Sequence, residues 1–320
     1  MVPGSRNGTF HAGHRIASAI ASHGAVLRWG KTVAVLEADL KRAGEFATPT
    51  ADVPGRSELA RMVRGNLALA ADTALPVLLI GETGTGKEHA ALDLHRRMGR
   101  RGPFVRLNVA AVPSNLVESE LFGHVAGAFT GAGAARLGRV REAQGGTLVL
   151  DEIGELPSDM QPKLLRLLEE PRVRPVGGGS DVAVDVRFVA STNADLGGLV
   201  RSGRFRRDLY ARLRGSEVHL PRLAERRADL LELADVVVTH PDGPWRTRLT
   251  PQAAERLLLH GWPDNLREHD GNVSAIARRV GRHRRQVYRW LAYAGVKGGE
   301  DPSDGSPPEP TNSRPGGVAG

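Results

Sequence analysis

The sequence predicts an α/β fold built on a parallel sheet, and three observations support this prediction. From residue 57 onward, strand-like apolar runs alternate with helical stretches, a pattern typical of parallel sheets with crossover helices. A glycine-rich loop follows the apolar run at residues 76–80 and leads directly into a helical stretch. Two adjacent carboxylates, Asp151 and Glu152, follow another apolar run, at the strand end where open α/β sheets bind ligands.

The individual elements follow in a regular order along the chain. Residues 57–72 have the apolar spacing of a helix, and the first buried strand is expected at residues 76–80. The first 40 residues contain short β-like stretches broken by glycines, and proline and small polar residues then indicate a linker. Further strand-like runs lie at residues 104–109, 147–150, 186–190 and 218–220, and a helical pattern covers residues 250–289.

Composition excludes several classes of protein. The chain has 320 residues, 40% hydrophobic and 25% charged, so it can bury a sizeable core. It contains no cysteine, which excludes a disulfide scaffold, a thiol nucleophile and a zinc site built on thiolates. We therefore expect a reducing, cytoplasmic location. The sequence also has no apolar run long enough for a transmembrane helix and no signal-peptide pattern.

The positive charge is concentrated near the C-terminus. The chain carries 44 Lys and Arg against 36 Asp and Glu, a net charge of +8. Residues 270–297 contain seven Arg or Lys and one Asp, a net +6, whereas residues 298–320 contain four acids and one Arg, a net −3. A short basic segment of this kind is typical of a DNA-binding element. The tail after it, rich in Gly, Pro and Ser, is expected to be disordered.

The glycine-rich loop has the pattern of a phosphate-binding loop. Its glycines allow backbone N–H groups to surround phosphate oxygens, and the helix that follows adds its dipole. Lys87 is expected to reach the β- and γ-phosphates, and Glu88 stands where a Ser or Thr hydroxyl usually meets Mg²⁺. The metal must therefore depend more on other ligands and water. The predicted ATP-binding residues of this loop are Gly81, Glu82, Thr83, Gly84, Thr85, Gly86, Lys87 and Glu88.

The carboxylates after the strand at residues 147–150 complete a hydrolytic site. Asp151 is suited to coordinating Mg²⁺, and Glu152 is suited to activating the attacking water. Two acids at a strand end are common in isolation, but together with the phosphate loop they favour a nucleotide hydrolase. Asn193 is expected to orient the water or to sense the γ-phosphate; from the residue alone, a turn-forming role is an equally good interpretation.

A loop with the sequence Gly-Ala-Phe-Thr-Gly-Ala, at residues 127–132, matches the signature loop of the sigma-54-dependent transcriptional activators. The resemblance runs from about residue 53 to residue 268 and includes four further segments, at residues 118–124, 145–154, 203–212 and 262–268. It implies a bacterial enhancer-binding protein of the AAA+ class. Such a protein has a P-loop ATPase domain with a helical lid, and it forms a ring of six or seven subunits that bind ATP at their interfaces.

The same resemblance assigns catalytic roles to residues outside the phosphate loop. Arg206 and Arg212 match the arginine fingers, which one subunit supplies to the γ-phosphate held by its neighbour. Arg267 matches the nucleotide sensor of the lid. Asn108 matches the residue that pairs with the glutamate corresponding to Glu152 and couples hydrolysis to the signature loop.

The signature loop itself is implied to contact sigma-54. Phe129 and Thr130 match its tip, and Ala126 replaces a Lys that often precedes it. The predicted sigma-54 contacts are Gly127, Ala128, Phe129, Thr130, Gly131 and Ala132.

Residues 270–291 resemble the C-terminal helix-turn-helix of this family. An apolar face on the first helix is followed by Gly281 at the turn, and Val287, Trp290 and Leu291 anchor the second helix. The outer face of the second helix offers donors for guanine, adenine and phosphate. The DNA-binding candidates are Arg284, Arg285, Gln286 and Arg289. The alternative interpretation is a basic amphipathic helix on a protein surface.

The N-terminal residues resemble the second half of a forkhead-associated domain, with Asn7 at a position near the phosphopeptide. Half of such a β-sandwich leaves unpaired strand edges. The expected organisation is a partial forkhead-associated segment at residues 1–40, a linker at 41–56, an AAA+ α/β subdomain at 57–225, a shortened helical lid at 226–268, a helix-turn-helix at 269–297 and a disordered tail at 298–320.

Two functions are compatible with these features. The first is an activator that binds DNA upstream of promoters, hydrolyses ATP with Mg²⁺ and remodels the sigma-54 RNA polymerase holoenzyme. The second is a DNA-binding regulator that binds nucleotide but forms no active ring, which the short lid and the partial N-terminal segment favour. A third interpretation, another AAA+ machine such as a helicase loader, conflicts with the signature loop at residues 127–132.

Overall fold

The structure of the protein is a computed structural model, which describes residues 8–37, 49–129, 133–233, 251–262 and 265. The strands are β1 (Thr9–His11), β2 (His14–Ile16), β3 (Val26–Trp29), β4 (Thr32–Val35), β5 (Val77–Ile80), β6 (Phe104–Asn108), β7 (Thr147–Asp151), β8 (Arg172–Val173), β9 (Val182–Ala183), β10 (Arg187–Thr192) and β11 (Ser216–His219). The helices are α1 (Glu58–Ala71), α2 (Lys87–Arg97), α3 (Val117–Phe122), α4 (Arg139–Glu142), α5 (Gln161–Glu169), α6 (Leu196–Arg201), α7 (Arg207–Leu213) and α8 (Pro251–Leu259).

A five-stranded parallel sheet in the order β11-β5-β10-β7-β6 forms the centre of the fold, which confirms the predicted α/β class. Side chains alternate between its two faces. Leu78 and Leu148 belong to one apolar core, which also contains residues of α3, α5 and α7, while Leu79 and Val149 belong to the other, with residues of α1 and α2. Because both faces are covered, the central strands are continuous apolar runs, as the sequence shows.

The bounds of the five central strands differ from the sequence-based ones by one or two residues, and two of these differences have local reasons. The strand expected at residues 104–109 ends at Asn108, because its Oδ1 accepts a hydrogen bond from Ala110 N at 3.0 Å and caps a 3-10 turn. The strand expected at residues 186–190 runs from Arg187 to Thr192, which pairs with Ile80 of β5. Arg187 is tolerated in this buried strand because its guanidinium donates to Ala70 O at 3.0 Å.

The helical pattern at residues 250–289 is described only at its start, where α8 ends at Leu259. Residues 266–320, which include the expected helix-turn-helix and tail, lie outside the described residues. In the part of the chain that is described, none of the helices is long and apolar enough to cross a membrane.

The N-terminal strands form a four-stranded antiparallel sheet in the order β2-β1-β3-β4, which packs against helix α8. Val26 lies in one apolar cluster with Leu230 and Leu258. Beside them, Arg28 pairs with Glu255 of α8 at 2.6 Å, and the Arg28 guanidinium lies 3.8 Å from the centre of the Phe10 ring. One face of the sheet is thus covered by α8.

A second contact joins the segment before α1 to the residues that follow β11. Asp229 is buried, and its Oδ1 accepts hydrogen bonds from Arg56 N and Ser57 N, both at 2.7 Å. Its Oδ2 accepts from Ser57 Oγ at 2.6 Å, and that same hydroxyl caps α1 by accepting from Ala60 N. Gly55 permits this close approach, since it has a φ of +106° and a Cβ there would lie 2.4 Å from Asp229 Cγ.

We expect Gly55→Ala to destabilise the protein more than Gly99→Ala does. Both glycines have positive φ, at +106° and +60°, so alanine at either site costs about 1–2 kcal/mol of backbone strain. Only Gly55 faces Asp229, whereas nothing lies within 4 Å of a Cβ at Gly99. Urea denaturation should show at least about 1 kcal/mol of additional loss for Gly55→Ala. Equal losses for the two variants would contradict this account of the Asp229 contact.

Candidate active site

The phosphate loop connects the end of β5 to the start of α2, at the carboxyl edge of the central sheet. Its first residue, Gly81, hydrogen-bonds through N to Thr192 O of β10 at 3.2 Å. No larger residue fits at Gly81, because a Cβ there would lie 2.8 Å from Thr85 Oγ1 and 3.0 Å from Leu220 O. Gly86 has a φ of +98° at the N-cap of α2, the left-handed conformation that turns the loop into the helix.

Lys87 and Thr85 fix the shape of this loop from within. The Lys87 ammonium donates to Gly81 O at 2.8 Å and to Glu82 O at 3.2 Å, so the side chain folds back over the loop. Buried Thr85 donates through its hydroxyl to Glu82 O at 2.8 Å. The structure thus brings together the loop residues expected to bind ATP, with the helix N-terminus directed at the space in front of them.

Asp151 and Glu152 lie at the end of β7, close to this loop. Asp151 Oδ1 accepts a hydrogen bond from Ser191 Oγ of β10 at 2.6 Å. Glu152 has a φ of +53° and a ψ of +50°, a left-handed conformation that is unfavourable for a residue with a side chain. Strain of this kind is concentrated at functional sites, and the catalytic role expected for Glu152 stays a prediction.

Asn193 connects the acidic end of the site to the phosphate loop. Its side-chain amide donates to Thr83 Oγ1 at 3.0 Å, and its backbone N lies 3.4 Å from Glu152 Oε2. Asn193 therefore lies between the phosphate loop and Glu152. From the residue alone, a turn-forming role is an equally good interpretation, and the catalytic role of Asn193 stays a prediction.

Asn108 has a different partner from the one implied by family resemblance. Its Oδ1 accepts the hydrogen bond from Ala110 N, while Glu152 is contacted by Asn193. Asn108 and Asp151 are nevertheless aligned partners in neighbouring strands β6 and β7. The amide is thus positioned beside the acidic pair and is engaged in capping the following turn.

Arg106 is a site residue that the sequence analysis missed. It lies on β6, and its guanidinium pairs with Glu88 at the start of α2 and with Asp151 Oδ2 at 3.2 Å. The arginine therefore bridges the two carboxylates that flank the phosphate loop. The only sequence feature that could have indicated Arg106 is its position two residues before Asn108, in a strand that leads to the site. No motif distinguishes it from any other exposed arginine on a strand.

Three further residues that the sequence analysis did not predict also contact the phosphate loop. Arg222 pairs with Glu82 at 2.9 Å, and Arg226 lies 3.4 Å from Thr85 O. Burial lowers the pKa of Arg226, although the neighbouring Asp229 opposes this effect. Asn265 donates to Thr83 O at 3.1 Å and to Glu82 Oε2 at 3.3 Å.

Asn265 also fixes the segment from which the two arginines project. Its Oδ1 accepts a hydrogen bond from Leu223 N at 2.6 Å, and its backbone has a φ of +55°, a conformation that Asn adopts more readily than most residues. The segment after β11 and the phosphate loop are therefore joined through the buried amide of Asn265. Arg267, the expected lid sensor, lies outside the described residues.

The expected arginine fingers are Arg206, at the N-cap of helix α7, and Arg212, within that helix. Their contacts lie outside the phosphate loop. Arg206 pairs with Asp208 at 2.6 Å, and this carboxylate raises the pKa of the guanidinium. Arg212 donates to Leu168 O at 3.0 Å. Both side chains are exposed enough to reach another molecule.

Residues 127–129 of the signature loop are described, whereas Thr130, Gly131 and Ala132 lie outside the described residues. The base of the loop is held by two backbone hydrogen bonds between His124 and Arg136, at 2.9 and 3.0 Å. His124 also contacts Ala134 O through Nε2 at 3.0 Å, and its ring meets that of Phe129 edge-on, 5.0 Å between centroids. The loop is thus anchored firmly, and Phe129 is partly exposed beyond the anchor.

The expected DNA-binding residues Arg284, Arg285, Gln286 and Arg289 lie outside the described residues, as does Asn7. Within the described residues, no cluster of three or more His, Asp or Glu side chains could hold a metal ion by itself. A nucleotide-bound Mg²⁺ does not need such a cluster, since it is typically held by one or two carboxylates, phosphates and water. Asp151 fits that requirement, because Ser191 orients one of its oxygens and the other faces Arg106 at the mouth of the loop.

Comparison with known proteins agrees with this geometry. The family described as the sigma-54 interaction domain matches residues 53–219. The DNA-binding transcriptional regulator NtrC of Klebsiella pneumoniae is 43% identical over 231 residues, which is 71% of this chain and 49% of that protein. The Nif-specific regulatory protein of Azotobacter vinelandii is 47% identical over 220 residues, or 68% of this chain and 42% of that protein. The chain thus spans about half the length of these relatives.

Among solved structures, NtrX from Brucella abortus has a similar fold. One NtrX structure matches with a TM-score of 0.62 and 31% identity over 80% of this chain and 56% of that chain. NtrX in complex with ATP matches with a TM-score of 0.61 and 29% identity over 77% of this chain and 70% of that chain.

Replacing Asn265 should separate the contribution of its hydrogen bonds from that of its backbone conformation. Asn265→Gly keeps the φ of +55° accessible but removes the acceptor for Leu223 N, so we expect a loss of about 1–3 kcal/mol in unfolding free energy. Asn265→Ala should lose about 1 kcal/mol more, from left-handed strain. Urea denaturation of both variants measures the two effects. A glycine variant as stable as the wild type would show that the amide does not hold the lid segment.

Proposed function

Because the chain belongs to the sigma-54 interaction domain family, we propose that it binds and hydrolyses ATP to remodel sigma-54 RNA polymerase and thereby activates transcription from upstream DNA sites. The observation that carries this proposal is the convergence at one sheet edge of the phosphate loop, the acidic pair Asp151 and Glu152, and the polar Asn193 that touches both. The signature loop at residues 127–132 is the part of the chain proposed to contact sigma-54.

Nucleotide binding is the best-supported part of the proposal. NtrX from Brucella abortus, whose fold this chain shares, has been solved in complex with ADP and with ATP. Here the backbone of the phosphate loop would surround the β-phosphate, and Lys87 would exchange its bonds to Gly81 O and Glu82 O for phosphate oxygens. The amide of Asn265 and the guanidinium of Arg226 stabilise the loop through its backbone carbonyls, at Thr83 and Thr85 respectively.

In this proposal, Asp151 and Glu152 have different roles in hydrolysis. Mg²⁺ would neutralise charge developing on the phosphates, and Asp151, oriented by Ser191, would hold it. Glu152 accepts the proton of the attacking water, and Asn193 positions that water from the neighbouring strand. The carboxylate of Glu152 lies 3.4 Å from the backbone N of Asn193, the residue that follows β10.

The remaining catalytic charge is proposed to come from a second subunit. Arg206 and Arg212 are held on α7 by Asp208 and by Leu168 O, and their exposed guanidinium groups are available to a neighbouring molecule. In this proposal the subunits form a ring of six or seven, and each provides fingers for the adjacent site. A change of partner by Asn108 or Glu152 after hydrolysis would pass the nucleotide state to the signature loop.

The other partners follow from the segments at either side of the ATPase. The basic segment at residues 269–297 is proposed to bind double-stranded DNA as a helix-turn-helix through Arg284, Arg285, Gln286 and Arg289, and Arg267 to sense nucleotide from the lid. The sheet at residues 8–37 is proposed to be the remainder of a forkhead-associated segment. Because its ATP and polymerase partners are cytoplasmic, we propose a cytoplasmic location.

We expect the ATPase rate per subunit to rise with protein concentration, because each site needs fingers from a neighbour. Arg206→Ala or Arg212→Ala should lower the rate by about 10³-fold or more, as finger losses do elsewhere. Lys87→Ala and Glu152→Gln should abolish it. The matched control is Arg207→Ala, an adjacent arginine on the same helix that is expected to be a surface charge.

Light scattering with ADP and aluminium fluoride supplies the second readout, since a ring-sized species should appear only with this transition-state analogue. A flat, near-zero rate together with a persistent monomer would contradict the proposal. That result would favour a DNA-binding regulator that binds nucleotide without forming active rings.

Contact with sigma-54 is tested separately from hydrolysis. Phe129→Ala should retain ATPase activity but lose open-complex formation at a sigma-54 promoter, because the partly exposed ring lies on the signature loop, away from the phosphates. Leu137→Ala is the control, as an exposed apolar residue beyond the loop. Equal promoter opening by Phe129→Ala and wild type would refute the role of this loop.

A further inference from the structure

The mouth of the phosphate loop already contains a cation supplied by the chain itself. The Arg106 guanidinium contacts Glu88 through Nη1 and Asp151 Oδ2 through Nη2, the latter at 3.2 Å. These two carboxylates come from different elements, the start of α2 and the end of β7. One side chain on β6 therefore links both.

The two carboxylates that Arg106 contacts stand at positions where ligands of a magnesium ion are expected. Glu88 follows Lys87 directly, where general phosphate loops have a hydroxyl that meets the metal. Asp151 uses Oδ1 to accept from Ser191, so Oδ2 is the oxygen directed at the mouth of the loop. Arg106 occupies that second oxygen.

The physical properties of arginine suit it to this place. A guanidinium keeps its charge throughout the physiological pH range and can contact two carboxylates at once through its planar fork. Without it, the exposed carboxylate of Glu88 and the mostly buried carboxylate of Asp151 would lie near each other with no cation between them. The pairing with Glu88 is also weak enough to be broken, because the Arg106 and Glu88 side chains are 39% and 56% exposed, and exposed ion pairs contribute at most about 1 kcal/mol. The Asp151 side chain is only 14% exposed, so its pairing with Arg106 is the stronger of the two.

We propose that Arg106 is an internal counter-cation that competes with Mg²⁺ for Asp151 and Glu88, and so sets the Mg²⁺ concentration at which nucleotide binds. This proposal depends on the proposed function, because it concerns the same nucleotide site. Arg106 is a positioning residue here: it holds Asp151 Oδ2 and Glu88 until a metal delivered with nucleotide takes its place. The arginine thus disfavours metal binding before the nucleotide arrives.

The test is binding of the fluorescent nucleotide N-methylanthraniloyl-ADP to the full chain, titrated against free Mg²⁺ from EDTA upward. Arg106→Ala should lower the Mg²⁺ concentration for half-maximal enhancement of binding about three- to tenfold, because both the ion pair and one positive charge near the metal are removed. Arg106→Lys retains the charge without the fork and should give a smaller shift. Arg214→Ala, an exposed arginine paired with Glu217 at 2.6 Å, is the matched control and should leave the value unchanged.

Each outcome decides a different point. An unchanged or higher Mg²⁺ requirement in Arg106→Ala, with a wild-type circular dichroism melting curve, would overturn the counter-cation while leaving nucleotide binding intact. A wild-type chain that binds no nucleotide with or without Mg²⁺ would overturn the proposed function, and the counter-cation with it. A lower requirement in Arg106→Ala but not in Arg214→Ala would support the proposal.

Discussion

The central position of β10 between β5 and β7 is the constraint on which the rest of the site depends. Thr192 is aligned with Ile80 on one side, and Ala190 with Leu150 on the other, so the phosphate loop and the acidic pair begin within two residues of each other along the sheet. From this strand Ser191 reaches Asp151, and the following Asn193 reaches Thr83. A register shift of one residue would turn these side chains into the apolar layers and separate the two halves of the site.

Around this centre, the residues after β11 hold several elements together. Arg222 and Arg226 contact the phosphate loop, and Asp229 receives the backbone of the segment before α1. Both ends of the ATPase region are therefore fastened to one short stretch of chain beside the nucleotide site. The same stretch also contributes Leu223 and Leu230 to the apolar cluster with Val26 and Leu258.

The sequence was sufficient where local chemistry determines structure. Periodicity identified the central strands, and glycine spacing identified the phosphate loop, because an apolar strand followed by Gly81 and Lys87 leaves few other folds. It could not reveal Arg106 or Arg226, since their importance arises from contacts between distant elements that no motif records. The same holds for Arg187, whose place in a buried strand depends on a carbonyl at the end of α1. Asn108 matched its family position, yet its present hydrogen bond is to its own turn, a choice that pattern matching does not predict.

The docking of the N-terminal sheet on α8 limits how freely the parallel-sheet region can be recombined with other N-terminal segments. The lid helix presents Leu258 and the nearly buried Glu255 to that sheet, and Glu255 is neutralised by Arg28, a residue more than two hundred positions away in the sequence. A buried carboxylate deprived of such a partner costs about 3–5 kcal/mol. Exchange of the first segment for an unrelated one would therefore need matching changes in α8, so the two parts are expected to be inherited together instead of as independent modules.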